Sequence, residues 1–151
     1  MENYEEAHRQ RLLDIDALLA AQIPRSTAAI HLGGVAVECR LKALVLTYHQ
    51  INAWDESSQR KNDPKHGLRI SRTSHALTAA LKLMDVLYRK ARTDSQFLKH
   101  LNAVTYPVGA TQTDFIALRY SSSEIREEAT EEWKRSLDYV LGWLKKNEAL
   151  L

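Results

Sequence analysis

A histidine, a carboxylate and an amine share one stripe of the most apolar stretch in the chain. Steps of three and four residues lead from His31, through Gly34 or Val35, to Glu38, Lys42 and Val45, so one helix face carries all of them. Glu38 and Lys42 stand in the favourable i,i+4 order. Ionisable groups on a helix built for burial need partners, and such groups concentrate where chemistry is done. The stripe serves either as a polar seam that fixes register or an interface, or as the lining of a pocket. Arg119 and Tyr120 are natural partners for Glu38, because a guanidinium fork matches a carboxylate and a phenol adds a hydrogen bond. The expected seam is therefore His31, Glu38, Lys42, Arg119 and Tyr120. A second chemistry is suggested by a basic run. Arg60, Lys61, Lys65, Arg69 and Arg72 face only Asp63 in sequence, with His66 among them, and such a run suits RNA or another phosphate-bearing ligand.

Other chemistries find no support. His31, His49, His66, His75 and His100 form no pair at metal-ligand spacing beside a cysteine or carboxylate, so no metal and no cofactor is expected. Gly33-Gly34 falls inside a helical pattern, while Gly67 and Gly109 stand alone, so there is no glycine-rich phosphate loop. The single cysteine, Cys39, has no partner for an intramolecular disulfide and sits among apolar residues, which fits a reducing compartment. The start Met-Glu-Asn-Tyr-Glu-Glu is acidic and shows no signal peptide, and no apolar run reaches the roughly 18 residues of a membrane span. A cytoplasmic protein without a membrane partner is expected.

The elements that must position these residues are helical. At 151 residues, 44% hydrophobic and 26% charged, the chain has the profile of a single globular domain over 1–151. Its 21 basic and 19 acidic residues leave a net charge of +2, too small to mark a nucleic-acid binder without the local basic run. The spacing predicts a first helix over about Glu2 to Gln22, stopped by Pro24, with Ser26 or Thr27 capping the next. The second, about Ala28 to Gln50, is apolar on nearly every side and belongs in the middle of a bundle. Gly33-Gly34 within it marks the close approach of a neighbouring helix. A long polar loop follows at 52–73. A third helix runs from near Ser74 through Leu77, Leu81, Met84, Leu87 and Ala91, and a short fourth covers about Asp94 to Val104. After an irregular stretch at 105–122 comes a last helix, whose glutamates over Glu124–Glu132 suit the positive end of its dipole. The expected fold is an all-α bundle of four or five helices.

Three segments, in order, resemble the HEPN-domain family. The stretch Ala28-Ala29-Ile30-His31-Leu32-Gly33-Gly34-Val35-Ala36-Val37-Glu38-Cys39-Arg40-Leu41-Lys42-Ala43-Leu44 is similar to its signature helix. Ser74-His75-Ala76-Leu77 resembles its Ser/Thr/Gly-His-Asp-Leu element, with Ala76 in place of Asp, and Leu118-Arg119-Tyr120 resembles its Arg-Tyr element. Together they span about residues 5–147.

The resemblance implies an up-and-down helical bundle, commonly a homodimer, in toxin–antitoxin or defence systems tied to RNA. A nucleotidyltransferase-type or other antitoxin protein is an implied partner. Many members of the family are metal-independent endoribonucleases using an Arg, a gap of four to six residues and a His, assembled across a dimer near the start of the last helix. Here Arg119 is followed by Tyr-Ser-Ser-Ser-Glu, and no histidine occurs after His100. The match at an allowed gap is Arg69-Ile70-Ser71-Arg72-Thr73-Ser74-His75, which makes Arg69 and His75 the candidate catalytic pair. Three readings follow: an RNA- or nucleotide-phosphate-associated module with a partner protein, a metal-independent endoribonuclease, or a purely structural dimerisation subunit.

Overall fold

The structure, a computed structural model, describes residues 2–151. It is an all-α bundle with one small hairpin. Helices α1 (Tyr4–Ala20) and α2 (Ser26–His49) are followed by strands β1 (Arg60–Asn62) and β2 (Arg69–Ser71). Then come α3 (Leu77–Lys82), α4 (Asp85–Arg92), α5 (Ser95–Thr105), a 3-10 turn (Ala117–Tyr120), α6 (Glu127–Asn147) and a final 3-10 turn (Glu148–Leu150). Among the described residues no helix is long and apolar enough to cross a membrane.

As its composition requires, α2 is the central rod, and α1, α3, α5, α6 and the 3-10 turn at 117–120 all pack on it. Gly33 makes room for a neighbouring helix as expected, whereas Gly34 makes room for a residue of the irregular stretch before the 3-10 turn. A Cβ at Gly33 would fall on the ring of Trp133 in α6, and one at Gly34 on the ring of Phe115. Two local expectations need correction. Ser26 and Thr27 do not cap α2 from outside; they are its first two residues, and the cap comes from Glu124. Its carboxylate accepts from the Thr27 amide and the Ser26 hydroxyl, both at 3.0 Å, and so satisfies a free helix-start donor from a distant segment. The third helix is broken in two, because Met84 leaves helical geometry (φ −113°, ψ 84°) between α3 and α4 while staying fully buried. The apolar pattern runs through this break unaltered, since both pieces keep the same face inward.

On α1, His8 is 9% exposed and its Nδ1–H donates to the Ala36 carbonyl of α2 at 2.8 Å. Burial pushes its pKa below the ordinary value and outweighs the opposing effect of that hydrogen bond. A depressed folded-state pKa means that the unfolded chain takes the proton first. The resulting stability is whole above the ordinary histidine range and is lost as pH falls through it. The urea midpoint is therefore expected to drop between pH 7 and pH 5, before carboxylates titrate. The slope should flatten in His8→Asn, and an equal slope in the two chains would remove His8 as the cause.

Candidate functional site

The hairpin forms where the sequence reads only as loop. Asp63 accepts from the amides of Lys65 (2.5 Å) and His66 (3.0 Å), a turn closed by Asp63's own carbonyl and amide. Gly67 sits at φ +68°, the left-handed region that glycine enters without a Cβ penalty. The strands pair Arg60 with Ser71, Lys61 with Ile70 and Asn62 with Arg69. Ile70 is 4% exposed and pins the hairpin to the core, so Arg60 and Arg69 occupy the face opposite Ile70. Lys61 pairs with Asp55 at 3.2 Å and Arg72 with Glu2 at 2.8 Å. Arg60, Lys65 and Arg69 are exposed and make no ion pair among the described residues.

The buried stripe of α2 is real but its partners differ from those expected. Glu38 and Lys42 are 8% and 3% exposed, and Lys42 Nζ donates to Glu38 Oε1 at 2.6 Å. The other oxygen, Oε2, accepts from His75 Nδ1 at 2.9 Å. Arg119 and Tyr120 are not part of the seam. Leu118 is the buried residue of their 3-10 turn, so its neighbours point outward and Arg119 stacks on the Tyr120 ring at 4.8 Å. Glu38, with both oxygens engaged, has no need of them. His31 is half-buried and binds the Phe115 carbonyl at 2.8 Å through Nδ1, apart from Glu38.

His75 stands just ahead of α3, with half of its side chain exposed. Since a carboxylate only accepts, the bond to Glu38 places a proton on Nδ1 and leaves Nε2 for an outside ligand. This is the arrangement by which a carboxylate orients a general acid–base histidine. From Lys42 the polar contacts continue. Its ammonium lies 5.7 Å over the Tyr4 ring, Tyr4 donates to Glu2, and Glu2 accepts from Arg72. Burial and then the bond to Glu2 push the Tyr4 phenol well above its ordinary range, which makes it a donor rather than a base. The path from His75 thus reaches Arg72 rather than Arg69. Arg69 lies with Asp55, Lys61 and Asn62 around a separate depression of about 180 Å³ and shares no hydrogen bond with His75 within the chain. Beside this path Glu2, Tyr4, Trp54, Gln59 and Arg72 line a groove of about 510 Å³.

Cys39 is half-buried, and burial, followed by the nearby Glu38 charge, raises its thiol pKa and so disfavours the reactive thiolate. Sequence spacing missed one cluster altogether. His49 at the end of α2 meets Asp63 and His66 of the hairpin turn, with ligand atoms all within 4.8 Å of one another. The only sequence signal is Asp63-Pro64-Lys65-His66, a carboxylate and a histidine three apart within the long polar loop. His49 comes from 14 residues away, and only the fold adds it.

No family model, no curated protein and no solved structure matches the chain.

Proposed function

We propose that the chain is a HEPN-like module that binds RNA or a nucleotide phosphate through its hairpin, acting in the cytoplasm as a homodimer with a partner protein of antitoxin type. The observation that carries this reading is the set of exposed cations, Arg60, Lys65 and Arg69, which make no ion pair among the described residues and sit on a hairpin fixed to the core by Ile70. A solvated surface ordinarily mixes signs, whereas a phosphate backbone rewards cations held free of carboxylates. Lys61 and Arg72, on the Ile70 side of the hairpin, are each held by one exchangeable carboxylate.

Retention of single-stranded RNA as a function of salt tests it. Each phosphate contact contributes a slope of about −0.7 in log K against log salt. The triple replacement Arg60→Gln, Lys65→Gln, Arg69→Gln is expected to reduce that slope by about 2 and weaken binding at low salt by at least 10-fold. Absence of salt-sensitive retention by the wild type would defeat the reading and leave a purely structural dimerisation subunit.

A second reading, metal-independent RNA cleavage, is favoured by the hold of Glu38 on His75, which aims a proton-transfer nitrogen outward. In it His75 moves the proton, and Arg69 contributed across a homodimer neutralises the phosphate. The ribose 2′-hydroxyl gives up its proton and attacks the phosphorus, the P–O5′ bond breaks, and the 5′-oxygen leaves as a hydroxyl with a proton delivered by His75, so a 2′,3′-cyclic phosphate remains. Cleavage in EDTA that falls by 100-fold or more in His75→Ala would establish it, and RNA left intact by the wild type would dismiss it.

A further inference from the structure

We propose that His49, Asp63 and His66 form a binding site for a single divalent transition-metal ion of the zinc class, which clasps the hairpin turn to the end of α2. Nδ1 of His49 and Nδ1 of His66 approach the same carboxylate oxygen, Asp63 Oδ2, at 2.5 and 2.7 Å. His49 and Asp63 are each 2% exposed, while the His66 side chain is one-third exposed and marks the solvent side. Two imidazoles and one carboxylate make an N2O donor set. Such a set suits a borderline divalent ion with an open position, whereas calcium and magnesium call for more oxygens.

The surroundings of the three ligands are those of a coordination site. His49 Nε2–H donates to the Leu83 carbonyl at 2.7 Å, which selects the tautomer that leaves Nδ1 as the ligating nitrogen. The break between α3 and α4 comes just after Leu83, at Met84. Asp63 Oδ1 is occupied by the Lys65 and His66 amides, and this turns Oδ2 toward the histidines. Tyr48 stacks on the His66 ring at a centroid distance of 5.0 Å and steadies it. The nearby cation, Lys65 Nζ, sits 5.1 Å over the Tyr48 ring and is not among the ligand atoms.

Donor arithmetic explains what the ion replaces. An ionised carboxylate and a carbonyl only accept, so without metal both nitrogens of His49 must carry protons, and so must Nδ1 of His66. An ion takes the place of the two bridging protons: the one on His49 Nδ1 leaves for the buffer, and the one on His66 passes to its Nε2, so that both rings bind as neutral imidazoles. Metal–ligand bonds of about 2.0–2.2 Å in a tetrahedron set the ligands about 3.3 Å apart, so they must spread by roughly 0.7 Å. The exposed side of His66 allows its part of that movement, while the buried His49–Asp63 pair has to open by about 0.8 Å. The site is independent of the RNA reading and would exist in a structural subunit as well.

Chain stripped with EDTA and dialysed is titrated with Co²⁺ and with Zn²⁺. The expected results are 1:1 binding, the visible absorption of a four-coordinate cobalt ion, proton release in calorimetry, and a Tm several degrees higher with Zn²⁺. His66→Ala, at an exposed position that should leave folding intact, is expected to weaken zinc binding at least 100-fold and to abolish the Tm shift. Two outcomes overturn the proposal: a folded wild-type chain that gives no cobalt absorption, or a His66→Ala chain that binds as tightly as the wild type.

Discussion

Replacing Lys42 with methionine is expected to destabilise the chain by about 3–5 kcal/mol, the usual cost of removing one partner from a buried ion pair. Methionine fills much of the same volume, so the loss is electrostatic rather than steric. The Glu38 carboxylate, 8% exposed, would keep only His75 as a partner. Converting both members of the pair tests that cause. Glu38→Gln with Lys42→Met leaves no buried charge, and its loss should be smaller than that of Lys42→Met alone by about 2 kcal/mol, since such pairs couple strongly. Urea unfolding followed by circular dichroism reads all of these. A Lys42→Met chain within 1 kcal/mol of the wild type would mean that water reaches Glu38 and that the seam is not a buried pair. Because Lys42 touches no ligand surface, RNA retention by the folded fraction should be unchanged, which separates this effect from function.

Gly34→Ala should cost about 2–3 kcal/mol, although alanine is the better helix former by about 1 kcal/mol. The added methyl would coincide with the Phe115 ring, a fully buried group that cannot swing aside. The Phe115 backbone is tied at both polar atoms, its amide to the Thr105 carbonyl at 3.0 Å and its carbonyl to His31. Gly33→Ala meets Trp133 instead, at ring atoms that phenylalanine lacks, so Trp133→Phe should relieve part of that penalty in a double-mutant cycle. Gly142 is the control. Nothing lies within 4 Å of a Cβ there, and Gly142→Ala is expected to stabilise α6 by about 0.5–1 kcal/mol. If all three alanines behaved alike, helix propensity rather than packing would be in command.

These two sites also show what a sequence can and cannot disclose. The apolar girth of α2 and the paired glycines inside it were legible, because burial on all sides and close helix approach are properties of local composition. The i,i+4 pairing of Glu38 and Lys42 was legible for the same reason. Arg119 was placed wrongly because the choice among cations for a buried carboxylate is made by tertiary geometry. His75, from the turn before α3, arrives first. The break at Met84 left no mark in the hydrophobic pattern. The hairpin strands are three residues each, too short to show a period. His49, Asp63 and His66 escaped notice because two of them lie on a turn and the third joins through the fold.

The three tryptophans fall in three separate settings. Trp133 lies over Gly33, and Trp143 stacks on Phe97 at 3.8 Å between ring centroids. Trp54, 8% exposed, meets the Tyr4 ring edge-on at 6.0 Å where the loop leading to the hairpin covers α1. A chain keeping Trp54 as its sole indole therefore carries a built-in optical reporter for that loop: its emission would follow detachment of the loop from α1 while the bundle behind it stays dark.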